Sequence, residues 1–304
     1  MKPAPFEYYA PSTVEEALAH LAEHGYDAKI LAGGQSLIPM MNFRLAQPAV
    51  LIDVNNIPEL SYIQPDEKGG LRVGAMARHV EVERSALVAE RAPLLHETMP
   101  HIATPQIRSR GTFGGSIAHA DPSAELVAVS VALGGRFRLR GPSGEGWVPA
   151  DEFFVGMFAT TMEPDEMLVE VALPALPPRS GWAFHEVARR PHDYALAGVA
   201  VLVTLDKKDR CQSARIVFLS MGDGPVEAKE AAQGLHGEAL TTEVIQAAAE
   251  MASTADVDPG SDIHASAAYR RHLAKVLTVR ALNEAAARAR DDSQRRPIDK
   301  RRLL

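Results

Sequence analysis

The sequence has 304 residues, 46% apolar and 23% charged, with a net charge of −7, 22 Gly and 21 Pro. At roughly 100–200 residues per domain this is two domains or three small ones with ample core-forming residues, which excludes disordered and collagen-like chains. The mildly acidic total, pI ≈ 5.9, gives no electrostatic reason to expect a nucleic-acid partner, since phosphate binding needs a basic face.

No apolar run approaches the ~18 residues of a membrane span, so no membrane insertion is expected. The opening MKPAPFEYYAPST lacks the apolar core of a signal peptide, so the expected location is cytoplasmic. The first element is a helix over PSTVEEALAHLAEHG, with Ser12 and Glu15 as a capping box, Val14, Ala17, Leu18 and Leu21 on one face, and Gly25 as its stop. AKILAGG follows as a short strand ending in paired glycines, then a helical turn from Ser36 to Phe43 and a buried strand VLIDV at 50–54. These make a small α/β unit of the kind whose strand-end loops carry ligands. From about residue 57 the pattern changes to a strand at 71–75, helices around 79–99, a Gly-rich turn at 111–116 and a helix from Ser123 to Leu133. FRLR, the turn GPSGEG and MLVEVALP supply short strands before the break PALPPRSG at 174–181. WAFHEVARR, AGVAVLVTLD and ARIVFLSMG then read as an antiparallel sheet, followed by helices, the longest from Ala265 to Arg290. The expected division is 1–56, 57–176, 177–290 and a charged, solvated tail at 291–304.

Two glycine clusters stand out, AGGQS at 32–36 and GTFGGS at 111–116. Neither is G-x-G-x-x-G, and no Lys-Ser or Lys-Thr follows to make a P-loop. Both present backbone amides that could converge on an anion, with hydroxyl donors from Ser36, Thr112 and Ser116. They are either ordinary turns or the two jaws of a dinucleotide site. Asp121 and Glu125 lie at a helix start, where a carboxylate either caps orphan amides or reaches a ribose hydroxyl. His119 reads as a packing or hydrogen-bonding residue in preference to a base, since nothing nearby is poised to receive its proton. Tyr194 lies in a loop between strands, either packed at the surface or covering a planar ligand.

Other chemistries are not supported. HETMPH at 96–101 places its second His one residue too late for H-E-x-x-H, and DVDPGSD at 256–262 has Ala267 where a calcium loop needs Glu, so no metal site is expected. No hydrolase nucleophile is evident. The single cysteine, Cys211, excludes an internal disulfide or a self-contained iron–sulfur cluster, which normally takes about four thiolates.

Taken together, FEYYAPSTVEEAL, LAGGQSLIPMM, RSRGTFGGSIAHADPSAEL, DEMLVEVALP, FHEVARRPHDYALAGVAV and SDIHASAAYRRHLAKVLTVRAL resemble one family over nearly the whole chain. It is that of the FAD-binding medium subunits of molybdenum hydroxylases, which includes carbon monoxide dehydrogenase and xanthine dehydrogenase. The resemblance implies an α+β fold: an FAD-binding domain of the vanillyl-alcohol oxidase (PCMH) type, built of two α/β subdomains, and a C-terminal domain of antiparallel sheet with helices. It implies FAD as cofactor, with Leu31, Ala32, Gly33, Gly34, Gln35, Ser36 and Leu37 and the segment with Gly111, Thr112, Gly114, Gly115 and Ser116 holding the pyrophosphate and its surroundings, and Ala118 as a further cofactor-binding residue. Ile102, Ala103, Ile107 and Leu168 would lie along the ring systems, Glu125 would hold the ribose, and Tyr194 would shield the isoalloxazine. His185 falls where some relatives carry a lysine near the flavin, and Ser116 where many carry Asn.

The implied function is an electron-transfer subunit that accepts electrons from a [2Fe–2S] small subunit, alongside a molybdenum-cofactor large subunit, and passes them to an external acceptor. No side chain of this chain is then a catalytic acid or base. The alternative is a self-sufficient FAD-dependent oxidase of the same fold.

Overall fold

The computed structural model describes residues 2–291; most of the charged tail expected at 291–304 lies outside them. The chain opens with β1 (Glu7–Tyr9), α1 (Val14–His24), β2 (Ala28–Leu31), α2 (Leu37–Asn42) and β3 (Val50–Asp53). The three strands form a parallel sheet in the order β1-β3-β2, with Val14, Ala17 and Leu21 of α1 buried in its core. The cap of α1 falls one residue later than Ser12 and Glu15. The Thr13 hydroxyl accepts from the Glu16 amide at 3.2 Å, and the Glu16 carboxylate accepts from the Ser12 amide at 2.8 Å.

The second unit runs through β4 (Ile63–Pro65), β5 (Leu71–Gly74), α3 (His79–Arg84), α4 (Ala86–Arg91), α5 (Pro93–Thr98), α6 (Pro105–Arg108), α7 (Phe113–His119) and α8 (Glu125–Ala132). It continues with β6 (Arg136–Gly141), β7 (Gly144–Pro149), α9 (Ala150–Phe153), β8 (Phe154–Gly156), β9 (Ala159–Thr160) and β10 (Met167–Leu173). Its antiparallel sheet has the order β4-β5-β10-β6-β7, so the last strand of the unit lies at its centre. Two local expectations change. The glycine-rich stretch at 111–116 is not a turn throughout: Thr112 caps α7, and Gly114 and Gly115 lie in its first turn. The helix expected from Ser123 starts at Glu125, because the Asp121 carboxylate takes the Ser123 amide at 2.9 Å and closes a turn before it.

A β-bulge between Leu168 and Glu170 lets β10 serve two cores. Met167 and Val169 pack with the N-terminal sheet, whereas Leu168 and Val171 pack beneath α7 and α8. Ile57 and Leu60 also enter the N-terminal core, across the 56/57 division.

The third unit holds β11 (Ser180–Ala188), β12 (Ala195–Leu205), β13 (Cys211–Leu219) and β14 (Val226–Glu227) as an antiparallel sheet in sequence order. α10 (Lys229–Leu235), α11 (Thr242–Met251) and α12 (Ala267–Arg290) cover one of its faces. Cys211 is buried there, and burial pushes its thiol up to about 11, leaving a small core residue. The other face, through Phe184, Ala200, Val217 and Leu219, joins the core of the second unit. Among the described residues no helix is long and apolar enough to cross a membrane.

Candidate cofactor site

A cavity of about 790 Å³ opens between the N-terminal sheet and the second unit, with a rim from the third. That volume lies within the ~300–1,000 Å³ of ligand sites. It is walled on one side by the loop after β2, at the carboxyl end of a parallel strand, where α/β folds place ligands. Of the sequence-derived site residues, Ala32, Gly33, Gln35, Ser36, Leu37, Ile102, Ala103, Ile107, Gly111, Thr112, Gly114, Gly115, Ser116, Ala118, Glu125, Leu168 and Tyr194 all line it. Leu31 and Gly34 line an adjoining recess of about 360 Å³ behind the same loop. His185 lies apart. It sits on β11 opposite Val199, and its Nε2 is 2.8 Å from the Glu284 carboxylate of α12, so its imidazole is engaged inside the third unit.

The two glycine clusters do different work, contrary to the equal roles expected of them. In the first, among the described residues, the amides of Gly33, Gly34, Gln35 and Ser36 donate no hydrogen bond; Gly34, at φ 72°, takes the left-handed turn that exposes them. In the second, the amides are committed: Gly114 to the Ala75 carbonyl at 2.9 Å, Gly115 to the Thr112 hydroxyl at 3.2 Å, Ser116 to the Thr112 carbonyl at 3.1 Å. Its glycines serve close approach instead. A Cβ on Gly114 would lie 2.5 Å from that of Ala75, and one on Gly33 would lie 2.4 Å from the Arg110 carbonyl oxygen. The clusters therefore press against each other, and the glycine amides left for an anion are those of the first, with Thr112 the one residue of 111–116 whose amide donates no hydrogen bond among the described residues.

Residues outside both motifs fix this contact. Asn55 Nδ2 donates to the Ala32 carbonyl at 2.9 Å, while Arg78 donates to Asn55 Oδ1 at 2.6 Å and to the Arg110 carbonyl at 2.8 Å. Arg108, 5% exposed, donates to the carbonyls of Ile102 and Ala103 at 2.9 and 2.8 Å and pairs with Glu83 at 2.8 Å. This holds Ala103 at φ 42° and keeps the 102–103 segment against the cavity. Isolated polar residues distant in sequence carry no pattern that announces these contacts.

Burial raises the Glu125 carboxyl to about 7, helped by the negative charges of Glu186 and Asp121 and opposed by its own backbone amide and His101. His101 is held above its usual range by its hydrogen bond to Glu186, 3.1 Å away. His79 is pushed down to about 4 by burial; its Nε2 sits 2.9 Å from the Thr112 carbonyl and it stays neutral at neutral pH. His119 packs as expected, its ring 5.1 Å from that of Phe158, and both face the cavity. Phe158 lies at φ 54° on the β8–β9 hairpin, a wall not anticipated from sequence, although the apolar run FFVGMF is 52–62% exposed at Val155, Met157 and Phe158. Tyr194, 74% exposed, stands at the mouth beside His192 and Asp193.

These features fit a flavin dinucleotide. Unpartnered amides suit a pyrophosphate, a semi-buried carboxylate suits a ribose, and apolar walls suit two ring systems.

Comparison with known proteins agrees along almost the entire chain. Residues 4–176 match the FAD binding domain in molybdopterin dehydrogenase, and residues 182–285 match the CO dehydrogenase flavoprotein C-terminal domain. The chain is 42% identical over 290 residues to the 6-hydroxypseudooxynicotine dehydrogenase complex subunit alpha of Paenarthrobacter nicotinovorans, covering 95% of this chain and 97% of the relative. It is also 42% identical to the carbon monoxide dehydrogenase medium chain of Hydrogenophaga pseudoflava, covering 95% and 99%. The solved structure of carbon monoxide dehydrogenase from Hydrogenophaga pseudoflava lacking the Mo-pyranopterin moiety superimposes with a TM-score of 0.91 over 95% of this chain and 99% of that one.

Proposed function

Because the chain belongs to the family of FAD-binding medium subunits of molybdenum-containing dehydrogenases, we propose that it carries electrons from an iron–sulfur partner to an external acceptor. It is an oxidoreductase subunit with FAD as its cofactor, a component of a multi-subunit complex. The observation that supports the site most directly is the set of unpartnered amides at Gly33, Gln35 and Ser36 on the wall of a cavity of about 790 Å³, with that of Gly34 in the same turn.

FAD supplies the capacity to accept and release electrons, and the protein supplies position and electrostatics. The AGGQS loop, flanked by Leu31 and Leu37, would hold the pyrophosphate through its amides and the Ser36 hydroxyl. Gly111, Thr112, Gly114, Gly115 and Ser116 would form the opposing wall, tight enough to keep the first loop in shape. Ile102, Ala103, Ile107, Ala118 and Leu168 would exclude water from the ring systems. Glu125 would accept from ribose hydroxyls, and Tyr194 would cover the ring at the mouth. A single cysteine leaves this chain unable to bind a cluster of its own, which supports a [2Fe–2S] small subunit and a molybdenum-cofactor large subunit as partners. With no possible internal disulfide, the chain has no need of an oxidising compartment, which supports a cytoplasmic location. A self-sufficient oxidase is disfavoured because the relatives are named as chains of complexes.

The test is to purify the chain alone. Stoichiometric FAD, released into the supernatant by acid, is expected, and Tyr194→Ala should raise flavin emission by removing a quenching phenol. A folded chain that takes up no added FAD overturns the cofactor site. Unchanged emission overturns the placement of Tyr194. Reduction of the flavin by a small alcohol or amine without any partner would establish the oxidase instead.

A further inference from the structure

The last turn of α1 carries His20, Glu23 and His24, the segment HLAEH, on one face of the helix. The spacings of three and four residues stack these side chains above one another. One ligand atom from each lies within 4.8 Å of the other two. His20 Nδ1 and His24 Nε2 are both buried from water and make no hydrogen bond. Such nitrogens are costly unless something occupies them. The Glu23 carboxylate is 3.8 Å from His24 Nε2, too far for a hydrogen bond.

The surroundings orient the rings. Tyr9 of β1 stacks on His20 with centroids 4.2 Å apart and on His24 at 5.7 Å, and the two imidazole planes lie within 9° of parallel. The rings are thus held side by side by an aromatic wall instead of by hydrogen bonds. The site also lies at the carbonyl end of α1, where the helix dipole favours a cation.

We propose that His20, Glu23 and His24 form a binding site for a first-row divalent metal ion, with zinc as the best match. Two imidazoles and a carboxylate are the donor set zinc takes at ~2.0–2.2 Å, with a fourth position open to water. Glu23 is exposed, so its carboxylate can turn toward an ion held between the two imidazoles. The bound ion would tie down the last turn of α1, directly before Gly25, Tyr26 and Ala28 on the cavity wall. The site is separate from the flavin chemistry and rests on this chain's own residues.

The test uses the tag-free, FAD-loaded chain and Zn²⁺, with Co²⁺ as a spectroscopic probe. One equivalent of Zn²⁺ is expected to bind and raise the melting temperature. Co²⁺ should give visible absorption bands that excess Zn²⁺ removes. His20→Ala and His24→Ala should each weaken binding by at least about tenfold, and Glu23→Gln should weaken it less. Flavin content, unchanged in all three variants, checks the fold; Glu23→Gln alters only an exposed side chain and keeps the test informative if a histidine variant fails to fold. Equal Zn²⁺ affinity in the wild type and the variants would assign the metal to other histidines and overturn the proposal, as would no uptake from excess Zn²⁺.

Discussion

At the scale of single residues, the two glycine motifs are alike in sequence and unlike in function. Gly33 approaches the Arg110 carbonyl so closely that a Cβ would overlap it at 2.4 Å, whereas a Cβ on Gly115 would meet the Thr112 hydroxyl at 2.5 Å and clear Ala32 at 3.7 Å. Gly33→Ala should therefore force apart the two loops, with an overpacking cost on the order of 1–3 kcal/mol and a loss of FAD per folded chain. Gly115→Ala should only displace a helix cap, costing about 1 kcal/mol, with FAD retained. Urea unfolding and flavin content of the two variants measure this; equal flavin loss in both would show that the second cluster also contacts the cofactor. Glu125 gives a pH-dependent counterpart. Its folded pKa, about 7, lies above its ordinary value of 4.5, so its protonated form stabilises the fold fully below that value, and the contribution is lost as pH rises through 7. In the flavin-free chain Glu125→Gln should raise the melting temperature at pH 8 and leave it nearly unchanged at pH 4. In the loaded chain the same variant should release FAD more readily, because an amide is a poorer acceptor for ribose hydroxyls than a carboxylate. A variant that destabilises the flavin-free chain at pH 8 contradicts the burial argument.

Among elements, the cavity is assembled by features that interrupt regular structure. Alternation along β10 sends Leu168 to the cavity and Val169 to the N-terminal core, and the bulge between Leu168 and Glu170 brings Val171 round to the side of Leu168. The 102–103 segment has no strand or helix of its own and is held by Arg108 from α6. Arg108→Ala would leave Glu83 and the carbonyls of Pro100, Ile102 and Ala103 without their partner, a loss of about 2–3 kcal/mol for a partly buried pair, and would free that wall of the cavity. Arg108→Lys keeps the charge without the forked donors and should recover only part of the loss. Hydrogen exchange at Ile102–Ala103 reads the effect directly. Unchanged protection there would mean that packing alone holds the segment.

For the molecule as a whole, the same β10 ties the first two units into one body, and the third shares a core with the second through Phe184, Ala195, Ala200, Val217 and Leu219. Arg288 of α12 adds a polar clamp across that junction: it donates to Glu97 of α5 at 2.7 Å and to the Trp182 carbonyl at 2.8 Å while lying over the Trp182 ring at 5.3 Å. A junction with a continuous apolar core does not open independently of the parts it joins. Calorimetry of the FAD-loaded chain should show a single transition whose calorimetric and van't Hoff enthalpies agree. Two resolved transitions, one insensitive to added FAD, would mean that the third unit folds on its own.

The sequence by itself determined the order and type of most elements, the antiparallel third unit and the places where the chain turns, because caps, alternation and glycine or proline punctuation act within a few residues of where they are read. Most of the residues read as cofactor contacts from the sequence also line the cavity. Which amides remain available is in part a tertiary outcome, since those of Phe113 and Gly114 in the second glycine cluster are taken by the distant carbonyls of Ala77 and Ala75 while those of Gly33, Gly34, Gln35 and Ser36 are left open. The same holds for His185, drawn to Glu284 ninety-nine positions away, and for Asn55, Arg78 and Arg108, which have meaning only once distant carbonyls are brought to them. Hydrogen bonds are satisfied by whatever the fold places within reach. A polar residue's partner is therefore settled by packing between segments, which no local pattern encodes.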